Sequence, residues 1–141
     1  MTYALDTNTL IYFFKGLGRV AETLLDTPPS EIAVPAIVVY ELETGIRKSS
    51  YPEKRRRQLS ALLEAVRVLP FDLACSRAAA VLRTDLEARG TPIGPMDALI
   101  AGTAIAHDAV LVTHNTDEFR RVSGLRLIDW YQGGNPNAHD V

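Results

Sequence analysis

A single cysteine, Cys75, stands in the 141 residues, so no intramolecular disulfide is available. No run of Cys and His offers a zinc site, and the expected place of Cys75 is as a small apolar filler. No apolar run approaches the ~18 residues that would span a bilayer. The opening Met-Thr-Tyr-Ala-Leu-Asp lacks a basic stretch leading into an apolar one, so no secretory signal is expected and the expected compartment is the cytoplasm. A strong charge imbalance is missing as well. Fifteen Lys and Arg against seventeen Asp and Glu give a net charge of −2, which does not announce a nucleic-acid binder and leaves room for an acidic site with a basic rim. Repeats and low-complexity tracts are absent. With 47% hydrophobic and 23% charged residues, the composition excludes a disordered or collagen-like chain, and the length suits one domain of ~100–200 residues.

The apolar pattern alternates short strands with helices. Tyr3, Ala4 and Leu5 form a strand ending at Asp6, followed by helices over 8–14 and 19–25. A strand over 32–34 leads to Pro35, which opens a helix to about residue 46. Pro52 opens another to about residue 66, Val68 and Leu69 form a third strand, and Asp72 caps a long helix that Gly90 closes. Pro95 opens a helix to about residue 107. The continuously apolar stretch 109–112 reads as a strand buried on both faces. A short helix over 117–121 and a strand over 126–128 complete the order. The expected architecture is α/β, three-layered, with a mainly parallel central sheet flanked by helices. One domain covers 1–131, and 132–141, rich in Gly, Asn and Pro, is expected to be a flexible C-terminal tail.

In an open α/β sheet, ligands bind beyond the carboxyl ends of the strands. Asp6, followed by Thr7, Asn8 and Thr9, closes the first strand, and Thr113, His114 and Asn115 close the strand at 109–112. Asp97 lies in the first turn of a helix otherwise made of Ala, Leu, Ile, Gly and Thr, where the helix dipole favours it. Glu41 sits mid-helix among Ile37, Val38, Val39, Tyr40 and Leu42. An acid buried beside other acids is costly unless a cation neutralises it. Each acid also has an ordinary reading: Asp6 as a helix cap, Asp97 as a dipole-stabilised residue, Glu41 as an exposed position. The strand-end rule sends Asp6 and the 113–115 turn to one edge. Spacing permits Glu41 and Asp97 to join them without placing them there. Converged, such hard oxygen donors suit Mg²⁺ or Mn²⁺ rather than zinc or copper, and phosphodiester hydrolysis is the natural reaction class.

On Leu5-Asp6-Thr7-Asn8-Thr9, Tyr40-Glu41-Leu42 with Gly45, Gly90-Thr91-Pro92-Ile93-Gly94-Pro95-Met96-Asp97, and Leu111-Val112-Thr113-His114-Asn115 with Phe119, the chain resembles PIN-domain ribonucleases. Within them it resembles the VapC-type toxins of type II toxin–antitoxin pairs. The stretch 122–130 agrees, so the resemblance covers about residues 2–130. It implies a PIN-like nuclease domain and a Mg²⁺-dependent endoribonuclease, with Mn²⁺ as the alternative ion, that cuts structured RNA, tRNA foremost. Asp6, Glu41 and Asp97 take the catalytic and metal-binding positions, and Thr7, Asn8 and Thr113 those of the polar residues that orient the cluster. Many PIN nucleases carry a fourth acid two residues after the strand-end threonine, where this chain has Asn115. Either Asp117 substitutes, or Asn115 binds water or phosphate beside a single ion. The resemblance further implies a VapB-type antitoxin, a small DNA-binding protein whose tail blocks the acidic cleft, so that DNA is met only through it. A toxin homodimer is also implied, and the lack of a long apolar run leaves no membrane contact expected.

Arg47, Lys48, Lys54, Arg55, Arg56 and Arg57 put six bases within eleven residues, against the single acid Glu53. They are either a track for an RNA backbone or a solvated face. His114 is either a phosphate contact or proton donor, or a solvated neighbour of the site. Tyr12, Phe13 and Phe14 suit a core or dimer role, with base stacking as the alternative. A haloacid-dehalogenase-type phosphatase is set aside, because Asn8 cannot titrate where that chemistry needs a general acid. The alternative function is a non-catalytic module of the same fold that binds RNA or an antitoxin. Asn115 speaks for it; Asp6, Glu41 and Asp97 together speak against it.

Overall fold

The computed structural model describes residues 1–132; apart from Gln132, the expected tail lies outside the described residues. Five short strands, β1 (Tyr3–Leu5), β2 (Ile32–Pro35), β3 (Arg67–Leu69), β4 (Val110–Val112) and β5 (Leu127–Ile128), pair in the order β3-β2-β1-β4-β5. Every pairing is parallel, with Tyr3 in register with both Ile32 and Val110, and Leu5 with Val112. Among the described residues seven α-helices flank the sheet: α1 (Thr7–Lys15), α2 (Val20–Leu25), α3 (Ala36–Arg47), α4 (Pro52–Ala65), α5 (Leu73–Ala88), α6 (Pro95–Ala106) and α7 (Thr116–Phe119). The expected α/β class is therefore the one observed. The chain winds outward from β1 through β2 and β3, then returns to β1's other side for β4 and β5. That reversal leaves a crevice beyond the carboxyl ends of β1 and β4, where ligands of such sheets bind.

Local chemistry fixes the helix starts. Asp6 and Asp72 cap α1 and α5, their carboxylates accepting from the Thr9 and Cys75 amides. Pro52 and Pro95 occupy first-turn positions where no amide donor is needed. Most boundaries shift by a residue or two from the pattern-based reading, and two of the shifts bear on the site. Asp6 leaves the strand to become a cap, and α7 starts at Thr116 because Asn115 O accepts from Phe119 N.

The core forms where the apolar strands meet the helices. Leu5, Val34, Leu111 and Val112 have no exposed surface, and β4 is buried along its length, as its continuous apolar character requires. Among the described residues no helix is long and apolar enough to cross a membrane. α5 and α6 pack tightly at Gly102, where a Cβ would stand 2.7 Å from that of Ala79 and 2.8 Å from its backbone. Gly102→Ala is therefore expected to cost about 1–3 kcal/mol by overpacking. Thermal unfolding should show a midpoint several degrees lower, whereas an unchanged midpoint would mean the two helices yield freely.

Candidate active site

The crevice is built from four carboxylates carried by four different elements. The Asp6 amide donates to Val112 O at 3.1 Å, tying the end of β1 to the end of β4. Thr9 Oγ1 donates to the same carbonyl at 3.1 Å, and Thr9 N donates to Asp6 Oδ1 at 2.9 Å. Asp6 is only 5% exposed. Burial pushes its carboxyl up, the hydrogen bonds from Thr113 and Thr9 oppose that rise, and the nearby charge of Glu41 adds to it.

Glu41 enters from α3, where Thr7 Oγ1 donates to its Oε1 at 2.6 Å. Asp97 enters from the first turn of α6, half-buried, and its carboxyl is pushed up to about 6. Burial is the main cause, followed by the negative charges of Glu118, Glu41 and Asp6. Glu118 enters from α7, accepting from Asn115 Nδ2 at 2.6 Å and from Gly94 N at 3.3 Å. The structure thus brings Asp6, Glu41 and Asp97 into one electrostatic cluster, with Thr7 on Glu41 and Thr113 on Asp6.

Glu118 is the member that sequence reasoning misses. Asp117, weighed for the fourth acid, instead faces solvent, its side chain 94% exposed and 3.5 Å from Arg120. Asn115 supports an acid rather than replacing one. A signal is present: Asn115 is the cap of α7 and Glu118 its third residue, the spacing of a capping box. Starting the helix at residue 117 conceals it. Asn8 is exposed on the first turn of α1.

The basic stretch divides. Arg55 Nη1 donates to Phe14 O at 3.1 Å and to Gln58 Oε1 at 2.8 Å, bracing α4 against the end of α1 rather than reaching outward. Arg56 pairs with Glu53 at 2.8 Å. Arg47, Lys48, Lys54 and Arg57 are exposed.

Among the described residues, none of the four clustered carboxylates forms an ion pair with Lys, Arg or His within 4.0 Å. Asp97 feels the charges of Glu118, Glu41 and Asp6, and Asp6 that of Glu41, and hard oxygen donors of this kind suit a divalent ion. The cluster is open rather than closed. The tightest three-donor group among the described residues lies elsewhere, at Asp72, Cys75 and His107, with ligand atoms within 4.8 Å of one another. There the donors are occupied: Asp72 caps α5, while the Cys75 thiol and His107 Nε2 donate to Pro70 O at 3.4 and 3.2 Å. Cys75 is buried, and burial pushes its thiol up, consistent with a filler.

Comparison with known proteins agrees with this geometry. The PIN domain family matches residues 3–125. The tRNA(fMet)-specific endonuclease VapC of Shigella flexneri is 32% identical over 130 residues, covering 92% of this chain and 98% of the relative. Ribonuclease VapC2 of Rickettsia felis is 36% identical over 138 residues, with the same coverage. A solved structure of VapBC2 from Rickettsia felis, bound to a DNA fragment from its promoter, superposes with a TM-score of 0.85 at 36% identity, covering 92% of this chain and 99% of that one.

Proposed function

This chain belongs to the PIN domain family, and we propose that its four-carboxylate crevice is the active site of a Mg²⁺- or Mn²⁺-dependent endoribonuclease toxin that cuts structured RNA, tRNA foremost. The observation that carries this reading is the convergence of Asp6, Glu41, Asp97 and Glu118, with no cationic partner among the described residues, at the reversal point of the sheet. A bound divalent ion supplies activation of a water and stabilisation of charge on the phosphate. The chain's own residues prepare for it. Thr7 orients Glu41 through one oxygen and leaves the other open; Thr9 and Thr113 hold Asp6; Asn115 and Gly94 hold Glu118. Asp97, with a carboxyl near 6, is largely ionised at neutral pH. The tRNA assignment is supported by the relative from Shigella flexneri, which acts on tRNA(fMet).

Partners follow the same reading. A groove of about 160 Å³ runs from Glu41 between Ile11, Phe14, Leu42 and Ile46, with Lys15 and Arg55 at its side. It suits an apolar antitoxin segment that would end at the acids, and the VapBC complex of Rickettsia felis supports a VapB-type partner. DNA would be met only through that partner, the toxin would pair as a homodimer, and its work on RNA would take place in the cytoplasm. For the RNA itself, replacing Arg47, Lys48, Lys54 and Arg57 together with Ala should weaken binding. The slope of log K against log salt should become shallower by ~0.7–0.9 for each phosphate no longer neutralised. An identical slope would remove these residues from the RNA surface.

The deciding experiment incubates purified protein and an Asp6→Asn variant with total tRNA, in Mg²⁺ or in EDTA. Discrete cuts that need both the ion and Asp6 are expected. Equal cutting in EDTA contradicts the reading, and binding without cutting favours the non-catalytic alternative. In the same assay, Thr7→Val should lower turnover about tenfold, the scale of losing a residue that orients a metal ligand.

A further inference from the structure

We infer that the outer face of His114 is a stacking seat for one unpaired nucleobase of the RNA, beside the acidic crevice; this deepens the ribonuclease reading and rests on it. Thr113, whose hydroxyl bonds Asp6, immediately precedes His114 in the chain, at the carboxyl end of β4.

The imidazole is held firmly in place. Its Nδ1 donates to Asp129 Oδ2 at 2.9 Å, since a carboxylate can only accept. The other oxygen of Asp129 accepts from Tyr131 N at 2.8 Å. One acid therefore holds the His114 ring and the Tyr131 backbone, and the two rings stack at 4.2 Å with an interplanar angle of 23°. Tyr131 is fixed in turn. Its carbonyl accepts from Arg19 N at 3.0 Å, and its ring lies so close to Gly18 that a Cβ there would come within 2.6–2.8 Å of three ring atoms. Gly18 also has φ +62°, so glycine is required twice over.

Tyr12 meets both rings edge-on, 4.9 Å from Tyr131 and 5.9 Å from His114. With 4.2 Å between those two rings, these distances place Tyr12 at the flank of Tyr131 rather than over the far face of His114. No other ring pairs with that face among the described residues, and a third of the His114 side chain is exposed. The column of Gly18, Tyr131 and His114 thus ends on a partly exposed imidazole on which no further ring is stacked among the described residues. A preordered stack loses little side-chain freedom on binding, and a base laid on it gains an interaction that any nucleobase can make.

The test measures KM and kcat for tRNA cleavage by the wild type, His114→Ala and His114→Phe, with thermal melts confirming that each is folded. Quenching of an RNA oligonucleotide carrying 2-aminopurine reports stacking directly. His114→Ala should raise KM about tenfold with kcat little changed and lose the quenching. His114→Phe, which keeps a ring stacked on Tyr131 but gives up the bond to Asp129, should recover most of both. An unchanged KM in His114→Ala, a loss confined to kcat, or a Phe variant as poor as Ala overturns the stacking seat while leaving the ribonuclease reading intact. A wild type that cuts no RNA overturns both.

Discussion

Asp97→Asn is expected to lower the rate of RNA cleavage by at least ~10²–10³-fold, the scale of removing one preorganised charge-stabilising group, and at the same time to make the metal-free protein more stable. The two effects have one origin. Asp97 is half-buried and faces Glu118, Glu41 and Asp6, whose charges add to burial in holding its carboxyl near 6. Asparagine keeps the shape and removes the repulsion, so the folded state gains while the crevice loses a ligand. This opposition of stability and activity is common where a site is built from like charges. Parallel measurements of initial cleavage rate and of metal-free thermal midpoint near neutral pH test it. A variant that cleaves normally, or whose midpoint falls, would mean that Asp97 is not part of a strained acidic set.

The second large effect is on pH. A carboxyl whose folded pKa lies above its unfolded value of 3.8 favours folding while protonated. That stability is fully present below 3.8 and is lost as pH rises through about 6. A rise of this size corresponds to at most about 3 kcal/mol at 1.36 kcal/mol per pKa unit. Water and salt reach a half-buried group and reduce it. Asp6 is shifted in the same direction, chiefly by burial, and adds to the trend. Asp72 is shifted the other way by its capping bonds, and its effect falls below its ordinary value of 3.8, outside this window. Metal-free protein should therefore lose stability as pH rises from ~4 to ~6.5, and saturating Mg²⁺ should restore it, by about 2.7 kcal/mol at a hundred times the dissociation constant. Denaturant titrations at the two pH values, with EDTA and with Mg²⁺, measure both arms. A pH dependence that persists unchanged in Asp97→Asn would assign it to other groups.

Most of this fold is legible along the chain because its strands are short, apolar and separated by strong punctuation. Pro52, Pro95, Asp72 and Gly90 mark helix ends by mechanisms that need no tertiary context. The strand-end rule also places Asp6 beside the turn after β4. What spacing cannot supply is the meeting of α3, α6 and α7 with that edge, because helix packing sets it. In the sequence Glu41 is only an acid among apolar residues; in the fold Thr7 holds it. Glu118 is hidden by a helix start set one residue late, and Arg55 is one base among six until its guanidinium is found on Phe14 O. In each case the role depends on a partner distant in sequence.

Isothermal titration of Mg²⁺ or Mn²⁺ into the metal-free protein near neutral pH, repeated with Asp6→Asn and Asp97→Asn, bears most directly on the acidic crevice. Saturable binding by the wild type, weakened at least about tenfold in each variant, is expected. Equal binding by all three proteins, or none by a wild type that still cuts RNA in EDTA, would contradict a crevice whose four carboxylates exist to hold a divalent ion.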